Sequence, residues 1–398
     1  MNASRPLRVL HVIDSLGEGG AEQNLLTFVK RSSAEHCEHH IAWLYDQTNL
    51  LDAFTPFTKT RFFLGSPRSV QLLSAAVKLA GHIRRVKPDV IHAELIRAQL
   101  VARIAAQLAG GVPVVVAWHS VSYAPDMLGE LGGHTRMGVT RLLDAATGKF
   151  DVHTIAVSRT VAEHNSVKLG VMREHVSVVY DAVDPSRVVN AIHGPEKALL
   201  RVRLGLPAEG TMLLSVGRLV VQKDHATSIL AMRDILRAQP DAFLVIAGTG
   251  GLRASLEAQV RNLGLEGRVL LLGPRRDVPD LLRVCDLFLF ASIVEGLGIA
   301  LTEALASGVP CVASDIPTSR EVAGASDGIE FFPPSSAAHL SDAVLRILKD
   351  LPAAQARSKK AADQICRRFS AEKMVEDTLA ILRRAAERGL RLGLANAL

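Results

Sequence analysis

Long apolar runs are missing from this sequence of 398 residues. No window approaches the roughly 20 apolar residues that a transmembrane helix needs. The amino terminus does not have the shape of a signal peptide, because its apolar run is only as long as a strand and is followed by Asp14. We therefore expect a cytoplasmic protein whose membrane contact, where there is one, is peripheral at the inner face of the cell membrane.

Aromatic residues and cysteines are also scarce. Aromatics make up 4% of the chain, and the apolar residues are mostly Leu, Val, Ala and Ile, which suits strands that are buried on both faces. The four cysteines are scattered, without C-x-x-C spacing, so a disulfide framework is not expected. Cys285 and Cys311 lie in or beside apolar runs and are interpreted as buried thiols.

The chain has no dense basic block with interleaved aromatics, so nucleic acid is not an expected partner. A formal net charge of +6, spread along the chain, favours anionic ligands or an acidic membrane surface. Two groups of basic residues are candidates for such a surface: Arg84, Arg85 and Lys87, and Arg383, Arg384, Arg388 and Arg391.

What the sequence does contain is an alternation of short apolar strands with helical patterns, and it occurs twice. The length favours two domains, and the alternation predicts an α/β fold of two Rossmann-like, doubly wound parallel-sheet domains that face a cleft. The boundaries are 1–184 for the first domain, 185–207 for a linker region and 208–372 for the second domain. Predicted strands are 7–13, 40–44, 61–64, 90–93, 114–118, 154–157 and 176–180, then 211–216, 243–247, 269–272, 287–290 and 309–313.

Ligands of open parallel sheets bind beyond the carboxyl ends of the strands, so the loops there carry the candidate residues. Gly17, Gly19 and Gly20 follow the first strand and precede an amphipathic helix. They allow close approach of an anion to the helix start, and an ordinary tight turn is the open alternative. A dinucleotide fingerprint is excluded because no glycine stands three residues beyond Gly19.

One histidine is a further candidate for the functional site, whereas a cluster of histidines that looks like a metal site is not interpreted as one. His119 follows the fifth strand and either faces the cleft or has a purely structural role. The cluster from Glu35 to His40 comes before the second strand, at the wrong end of the sheet, and is interpreted as a solvated loop instead of a metal site.

The first strand of the second domain ends in Gly217-Arg218, with Lys223 and Asp224 close behind. Arginine offers a planar fork and lysine a compact charge, which together suit a diphosphate. The alternative is a surface pair between Lys223 and Asp224. Two more strands of this domain end in turns at the same edge, with Gly248 and Gly250 after one and Arg275 and Arg276 after the other.

Two carboxylates, Glu295 and Glu303, flank the start of a short apolar helix at Leu297, Gly298 and Ile299. The backbone N–H groups of a helix start favour an anion. Carboxylates beside a diphosphate would repel it, so they are expected to accept hydrogen bonds from hydroxyl groups. A sugar nucleotide combines hydroxyls with a diphosphate and is the predicted ligand.

These motifs resemble family four of the glycosyltransferases, retaining enzymes of the GT-B fold that use nucleotide sugars. The resemblance extends in order over almost the whole chain, and its final segment is the most specific. The matching residues are Gly19-Gly20-Ala-Glu22, His119, Gly217-Arg218, Lys223-Asp224, Gly248-x-Gly250, and Glu295-Gly296-Leu297-Gly298 through Glu303 to Pro310.

The resemblance implies a role for each matching position. Arg218 and Lys223 would neutralise the leaving diphosphate, together with backbone N–H groups of Gly20, Gly298 and Ile299. Glu303 would bind the ribose, whereas Glu295 and His119 would lie by the donor sugar. The Pro274–Arg276 segment would border the base, and the last helix, about 373–398, would complete the first domain.

Two segments depart from the family pattern. Asp181-Ala-Val-Asp184 stands where the family usually has Asn-Gly-Val-Asp, which affects the turn that leaves the first domain. The loop after Asp315 lacks the usual glycines before Glu321, so a role for Glu321 is only weakly implied.

The resulting hypothesis is a retaining transfer of a sugar from a nucleoside-diphosphate sugar to a hydroxyl of a saccharide or lipid-linked saccharide in envelope polysaccharide or glycolipid synthesis. No Asp-x-Asp pair stands near these loops, so neither a metal nor another cofactor is expected. The alternatives are a sugar-nucleotide epimerase of the same fold and a non-catalytic sugar-nucleotide-binding partner.

Overall fold

The computed structural model describes residues 5–32, 36–65, 72–123, 134–184 and 188–395. The chain divides into two compact units. Unit 1 consists of Met1–Ala182 and Ala371–Leu398, and unit 2 consists of Val183–Ser370.

Unit 1 contains a seven-stranded sheet in which every neighbouring pair of strands is parallel. Its order is β3-β2-β1-β4-β5-β6-β7, so the direction of winding reverses between β1 and β4. Such a reversal is where open α/β sheets bind ligands. The strands are β1 Leu7–Ile13, β2 Cys37–Trp43, β3 Thr60–Phe63, β4 Val90–Glu94, β5 Val114–Trp118, β6 Asp151–Ala156 and β7 Val176–Val178.

Helices cover both faces of this sheet and bury two apolar cores. Strands β1, β4 and β5 are almost entirely buried because their Val-, Ile- and Ala-rich runs face a helix layer on either side. The last helix, α15, belongs to unit 1 and contributes Met374, Ile381 and Leu382 to one of these cores. The helices are α1 Gly20–Arg31, α2 Leu51–Phe54, α3 Leu72–Val86, α4 Ile96–Leu108, α5 His134–Gly148, α6 Arg159–Leu169 and α15 Ala371–Ala395.

Unit 2 contains a six-stranded parallel sheet of order β10-β9-β8-β11-β12-β13, with its reversal between β8 and β11. Its strands are β8 Met212–Val216, β9 Phe243–Ala247, β10 Val269–Gly273, β11 Leu287–Phe290, β12 Cys311–Ser314 and β13 Ile329–Phe332. Its helices are α7 Gly194–Arg203, α8 His225–Ala238, α9 Arg253–Asn262, α10 Val278–Val284, α11 Ile299–Ala306, α12 Pro317–Ala323, α13 Ala337–Lys349 and α14 Leu351–Arg368.

Two strands, β2 and β13, differ most from the sequence-based assignment. Strand β2 begins at Cys37 instead of His40, so His39 and His40 are buried strand residues and not part of a solvated loop. Strand β13 was not predicted, and it pairs with β12 at the sheet edge. Parallel pairing with a neighbour stabilises both segments, and neither pairing is visible in local sequence.

The segment assigned to a linker, 185–207, contains helix α7, which belongs to unit 2. Arg201 of this helix is buried, donates to Asp286 at 2.8 Å and also donates to the carbonyl oxygens of Val284 and Gly210. These hydrogen bonds from a buried guanidinium to carbonyl groups of unit 2 hold α7 against the rest of that unit. Residues 185–187 lie outside the described residues.

Two expectations about composition have structural counterparts. Cys285 and Cys311 are free, buried thiols. None of the helices in the described parts of the chain is long and apolar enough to cross a membrane.

Candidate functional site

The candidate residues of unit 2 lie in the four loops after β8, β9, β10 and β11, at the carboxyl edge of its sheet, and at the start of α11. Backbone hydrogen bonds join the loops that follow β8 and β9, from Gly217 N–H to the Ala247 carbonyl at 3.0 Å and from Leu219 N–H to the Thr249 carbonyl at 2.9 Å. The loop after β11 is joined to the loop after β8, because Ile293 N–H donates to the Gln222 carbonyl at 2.9 Å. These loops therefore form one connected surface at the reversal of the sheet.

Lys223 and Glu295 meet on this surface. The Lys223 Nζ contacts Glu295 Oε1, and the two side chains are 19% and 12% exposed. The Ser292 hydroxyl donates to the same carboxylate oxygen at 2.7 Å, and the ammonium also lies 5.8 Å from the ring centroid of Phe290. Within the described residues, no protein group forms a hydrogen bond with the other oxygen of Glu295. One carboxylate oxygen and two ammonium N–H bonds thus remain for a ligand.

The neighbouring charges of the same loop have other surroundings. Arg218 is exposed at the end of β8. Asp224 does not pair with Lys223: it begins helix α8, accepting from the backbone N–H of Thr227 at 3.3 Å and from the hydroxyls of Thr227 and Ser335 at 2.8 Å each. The alternative of a Lys223–Asp224 surface pair is therefore wrong, because Lys223 contacts Glu295 and the Asp224 carboxylate caps the amino end of α8.

Two glycines of these loops are required by the geometry around them. Gly298 has φ +92° immediately before α11, and a Cβ there would come 3.0 Å from the ring of Phe290. A Cβ on Gly248 would overlap the carbonyl oxygen of Gly217. Both positions let the backbone pass closer than a larger residue allows, which keeps the loops after β8, β9 and β11 together.

Helix α11 carries the second glutamate of the motif. Glu303 lies in its second turn and is 5% exposed. Leu297 and Gly298 are buried just before the helix, and Gly296 is buried as well, while Ile299 at the first helical position is partly exposed. The helix start is thus held in the protein, and only its first residues approach solvent.

The two arginines expected near a base are placed differently. Arg275 uses its guanidinium on Asp277, with distances of 2.7 and 2.6 Å, and this pairing lowers the pKa of Asp277. Arg276 is exposed. Gly250 lies in the turn after β9 and packs against the backbone of Leu219, where a Cβ on residue 250 would overlap the Leu219 carbonyl group.

The glycine loop of unit 1 follows β1 at the reversal of that sheet. Gly19 stands immediately before α1, and Gly20 is its first residue. Glu22, in the first turn of α1, is buried and accepts from the Ser15 hydroxyl at 2.9 Å, which fixes the loop between them. Sequence reasoning included Glu22 in the motif without a role, because its partner Ser15 is visible only in three dimensions.

Asp14 ends the same strand region and was not a candidate from sequence. Its Oδ1 accepts from the backbone N–H of Ala98 in α4 at 2.8 Å. Burial raises the pKa of Asp14 to about 7, although the bond from Ala98 and the charge of Arg97 oppose this shift. An aspartate at the end of an apolar strand was the only signal in the sequence.

His119 lies next to two buried carboxylates. Its Nε2 is 2.9 Å from Glu94 Oε2, and its Nδ1 is 3.8 Å from Asp181 Oδ1. Burial lowers the pKa of His119, but Asp181 and Glu94 outweigh burial and raise this pKa to about 10. The histidine is therefore an imidazolium at neutral pH, which sequence reasoning did not foresee.

A row of neutral histidines lies on the sheet face beneath this group. His11 Nε2 is 2.9 Å from His39 Nδ1, and His11 Nδ1 is 3.3 Å from His92 Nδ1. Burial lowers the pKa of His39 to about 4 and that of His11 well below its ordinary value. Side chains alternate between the two faces of a strand, and these three residues, one each on β1, β2 and β4, point to the same face. They are neighbours only because the three strands are adjacent in the sheet.

No group of three or more His, Cys, Asp or Glu side chains within the described ranges is arranged to hold a metal ion. The expectation of a metal-independent site stays a prediction.

Comparison with known proteins identifies the family. Residues 18–187 match Glycosyltransferase Family 4, and residues 196–364 match Glycosyl transferases group 1. The two matches follow each other and together span most of the chain, so this protein belongs to the group 1, family 4 glycosyltransferases.

Two curated relatives have specific activities. The UDP-Gal:α-D-GlcNAc-diphosphoundecaprenol α-1,3-galactosyltransferase of Escherichia coli is 28% identical over 247 residues, which are 61% of this chain and 62% of that protein. The 2-deoxystreptamine glucosyltransferase of Streptomyces kanamyceticus is 29% identical over 295 residues, which are 70% of this chain and 73% of that protein. The match thus spans less than two thirds of the first relative's length.

A solved structure shows the fold. HepE of Anabaena, determined in complex with UDP-glucose, aligns with a TM-score of 0.81 and 21% identity, covering 95% of this chain and 100% of that chain. At this level of identity the likeness is one of fold, and it places this chain among the GT-B proteins with two Rossmann-like domains.

Proposed function

We propose that this protein transfers a sugar, with retention of anomeric configuration and without a metal, from a nucleoside-diphosphate sugar to a hydroxyl of an acceptor. The observation that carries the proposal is the contact of Lys223 with Glu295 at the reversal of the unit 2 sheet. This contact offers an ammonium for phosphate and a carboxylate oxygen for a hydroxyl within one small surface.

The bond between the sugar and its diphosphate breaks in this reaction, and negative charge builds on the diphosphate. Arg218 and Lys223 oppose that charge, assisted by backbone N–H groups at Gly298 and Ile299. Glu295 accepts from a hydroxyl of the donor sugar through the oxygen that Lys223 and Ser292 leave unused. Glu303 takes the ribose hydroxyls, as the family resemblance implies.

In unit 1, we assign Gly19 and Gly20 to the donor diphosphate and His119 to a sugar hydroxyl. The turns at Gly217, Gly248 and Gly250, with Arg275 and Arg276, are assigned to the donor as well, the arginines beside its base. Retention without an enzyme nucleophile implies that the acceptor hydroxyl attacks the sugar on the same face from which the diphosphate departs. An oxygen of the departing phosphate then takes the proton of that hydroxyl. No resident cofactor takes part in this scheme.

For the acceptor we propose a saccharide or lipid-linked saccharide in envelope polysaccharide or glycolipid synthesis. One curated relative acts on a diphosphoundecaprenol-linked sugar and another on 2-deoxystreptamine, as their names state. For a lipid-linked acceptor, a peripheral contact with the inner face of the cell membrane fits the exposed basic residues Arg84, Arg85 and Lys87 and those of α15, Arg383, Arg384 and Arg388. The side chain of Arg391 lies outside the described residues.

The first experiment is thermal unfolding with UDP, GDP, ADP or NAD, each with and without EDTA. A ligand at about 100 times its dissociation constant stabilises the folded protein by about 2.7 kcal/mol, a shift of a few degrees. We expect one nucleoside diphosphate to raise the midpoint and EDTA not to abolish the effect. A shift with NAD alone, or with none of them, would contradict the proposal.

Product analysis then separates the enzyme classes. With the nucleoside diphosphate identified, incubation of its sugar conjugates with a saccharide acceptor should release the diphosphate and glycosylate the acceptor. Formation of an epimeric sugar nucleotide instead would favour the epimerase, and binding without any turnover would favour a non-catalytic partner.

A further inference from the structure

The surroundings of His119 are unusual because two carboxylates lie next to one imidazole. One of them comes from the end of the neighbouring strand, and the other comes from a loop beyond β7. Glu94 is the last residue of β4, and His119 follows β5, the neighbouring strand. Asp181 lies beyond β7, three strands away from β4 in the sheet. All three groups are nearly enclosed, with side-chain exposures of 3% for Glu94, 10% for His119 and 5% for Asp181.

The loop that carries Asp181 is held in place by α1. The Asn24 side-chain oxygen accepts from the backbone N–H of Ala182 at 3.0 Å. A small cavity lies beside Asn24, and the three ionisable groups line it. Neither ring nitrogen of His119 is aligned for a hydrogen bond with its carboxylate, and Glu94 Oε2 and Asp181 Oδ1 are likewise without one. Buried polar atoms in this condition have capacity for a ligand.

Few other charges bear on this group. His92 Nδ1 is 3.6 Å from Glu94 Oε1, and burial lowers the pKa of His92, which keeps it neutral. The residues that α1 and α15 present to the cavity carry no ionisable group, and neither do the lining residues in β5, in and just after β6, and just after β7. These residues are Asn24, Leu25 and Phe28, then Met374 and Thr378, then Ala117, Ile155, Val157 and Val179.

We infer that Glu94 and Asp181 are positioning residues, which orient His119 from both ring nitrogens and keep both nitrogens protonated, so that Nδ1–H donates to the sugar. This inference rests on the proposed function for the identity of the ligand. A neutral imidazole has one donor and one acceptor nitrogen, so it can either donate a hydrogen bond to a hydroxyl or accept one from it. An imidazolium can only donate, so the hydroxyl oxygen of the ligand must face it.

The distances from the two carboxylates to the imidazole ring give Glu94 and Asp181 different roles. Glu94 is close enough to Nε2 to hold the ring as an ion pair, whereas the 3.8 Å between Nδ1 and Asp181 leaves Nδ1–H unoccupied by a direct bond. A hydroxyl that accepts from Nδ1–H is then within reach of Asp181 Oδ1 as its own acceptor. Two carboxylates against one imidazolium leave a net negative charge, which favours a neutral hydroxyl here over a phosphate.

The test measures the protonation of His119 directly and without substrate. Imidazole NMR signals of histidine-labelled protein are followed with pH in the wild type, in Glu94→Gln and in Asp181→Asn, with His119→Asn used to assign the signal. We expect His119 to stay protonated to about pH 10 in the wild type. Loss of either charge should lower the pH of deprotonation by about one pH unit or more.

The second readout is the pH dependence of kcat/KM with the donor found by thermal unfolding. From about pH 7 to about pH 9, loss of a proton from His119 should not limit the wild type. In Glu94→Gln, kcat/KM should fall about tenfold for each pH unit above the new pKa. Glu94→Asp, which restores the charge on a shorter side chain, should move the fall back towards alkaline pH.

A matched control separates positioning from folding. Asp151 is also a buried carboxylate of unit 1, ion-paired with Arg103 at 2.6 Å, but it lies at the amino end of β6, away from the carboxyl edge. Asp151→Asn should lower stability and leave both the His119 titration and the pH profile unchanged.

Several outcomes would overturn the inference. They are a wild-type His119 that loses its proton near pH 6.5, a titration that neither variant moves, or pH profiles that coincide in wild type and variants. If the titrations behave as expected but no sugar nucleotide is turned over, the proposed function fails, while the part of the inference that concerns charge and orientation stands on the NMR result.

Discussion

The two units use the same sheet architecture and place very different charges at its carboxyl edge. In unit 2 the cations Arg218 and Lys223 lie in loops, and Lys223 is partly exposed and paired with one carboxylate. In unit 1 the charges lie deeper, as one imidazolium between two enclosed carboxylates over a row of neutral histidines. A loop cation suits an anionic ligand that arrives and leaves, whereas an enclosed ion group suits the fixed orientation of a polar contact.

The same contrast appears in how the loops are held. Unit 2 relies on backbone bonds between loops and on tight glycines such as Gly248 and Gly298. Unit 1 also has backbone bonds between loops, such as Leu16 N–H to the Gln47 carbonyl, and adds side chains to them, with Glu22 bonded to Ser15 and Asn24 bonded to the backbone of Ala182. Substitutions of single side chains should therefore disturb loop geometry more in unit 1 and ligand charge more in unit 2.

The largest expected effect is on catalysis in unit 2. Lys223→Ala removes a cation from the site of the diphosphate, and loss of such a preorganised charge costs about 10²–10³-fold in kcat. Steady-state kinetics with the identified donor measures this loss. Arg237→Ala, which removes an exposed cation of unit 2 paired with Asp234, is the control and should leave kcat within about twofold. Equal rates for wild type and Lys223→Ala would contradict the role of Lys223.

Acid should destabilise unit 1 before unit 2. The folded-state pKa values of His11 and His39 are lowered by burial, that of His39 to about 4. Their neutral forms therefore contribute stability that is fully present above the unfolded pKa of about 6.5 and is lost as the pH falls from there towards 4. The upper bound is about 1.4 kcal/mol per pH unit for each histidine. His119, with its raised pKa, acts in the opposite sense: its contribution is fully present below the unfolded pKa of about 6.5 and is lost as the pH rises from there through about 10.

Thermal unfolding followed from about pH 7 to about pH 4.5 tests this difference between the units. We expect the transition of unit 1 to move to lower temperature first, because unit 2 has a single buried histidine of this kind within the described residues, His225. His39→Asn should flatten the pH dependence of unit 1. If the two transitions move together, the buried histidine row does not control acid stability.

The smallest expected effect concerns Ser292 and sharpens the role of Glu295. Ser292→Ala removes the hydrogen bond to Glu295 Oε1, and a bond to a charged group contributes about 1.5–3 kcal/mol. We expect kcat/KM to fall about tenfold or somewhat more. Ser314→Ala is the matched control, since Ser314 is equally buried and its hydroxyl donates to the Ser292 carbonyl instead. Equal losses in both variants would indicate that Ser292 only supports the loop.

The sequence by itself determined the fold class, the doubling of the architecture and the family. Apolar strands alternating with helices indicate parallel sheets whatever the details, and the residues from Glu295 to Pro310 are specific enough to identify the relatives. Strands with a strong apolar pattern, such as β1, β5, β9 and β11, were located residue for residue. Strand β13 was missed because a short edge strand has a weak local pattern and is stabilised by its pairing with β12.

The tertiary structure alone decided which groups meet. Lys223 and Glu295 are 72 residues apart and touch because β8 and β11 are neighbours at the reversal of the sheet. Glu94, His119 and Asp181 come from separate loops and strand ends, and His39, His11 and His92 come from three strands. Contacts of this kind depend on strand order and register, and the charge of a buried histidine depends on those contacts. Local sequence contains neither, so only the folded chain distinguishes the imidazolium of His119 from the neutral rings beneath it.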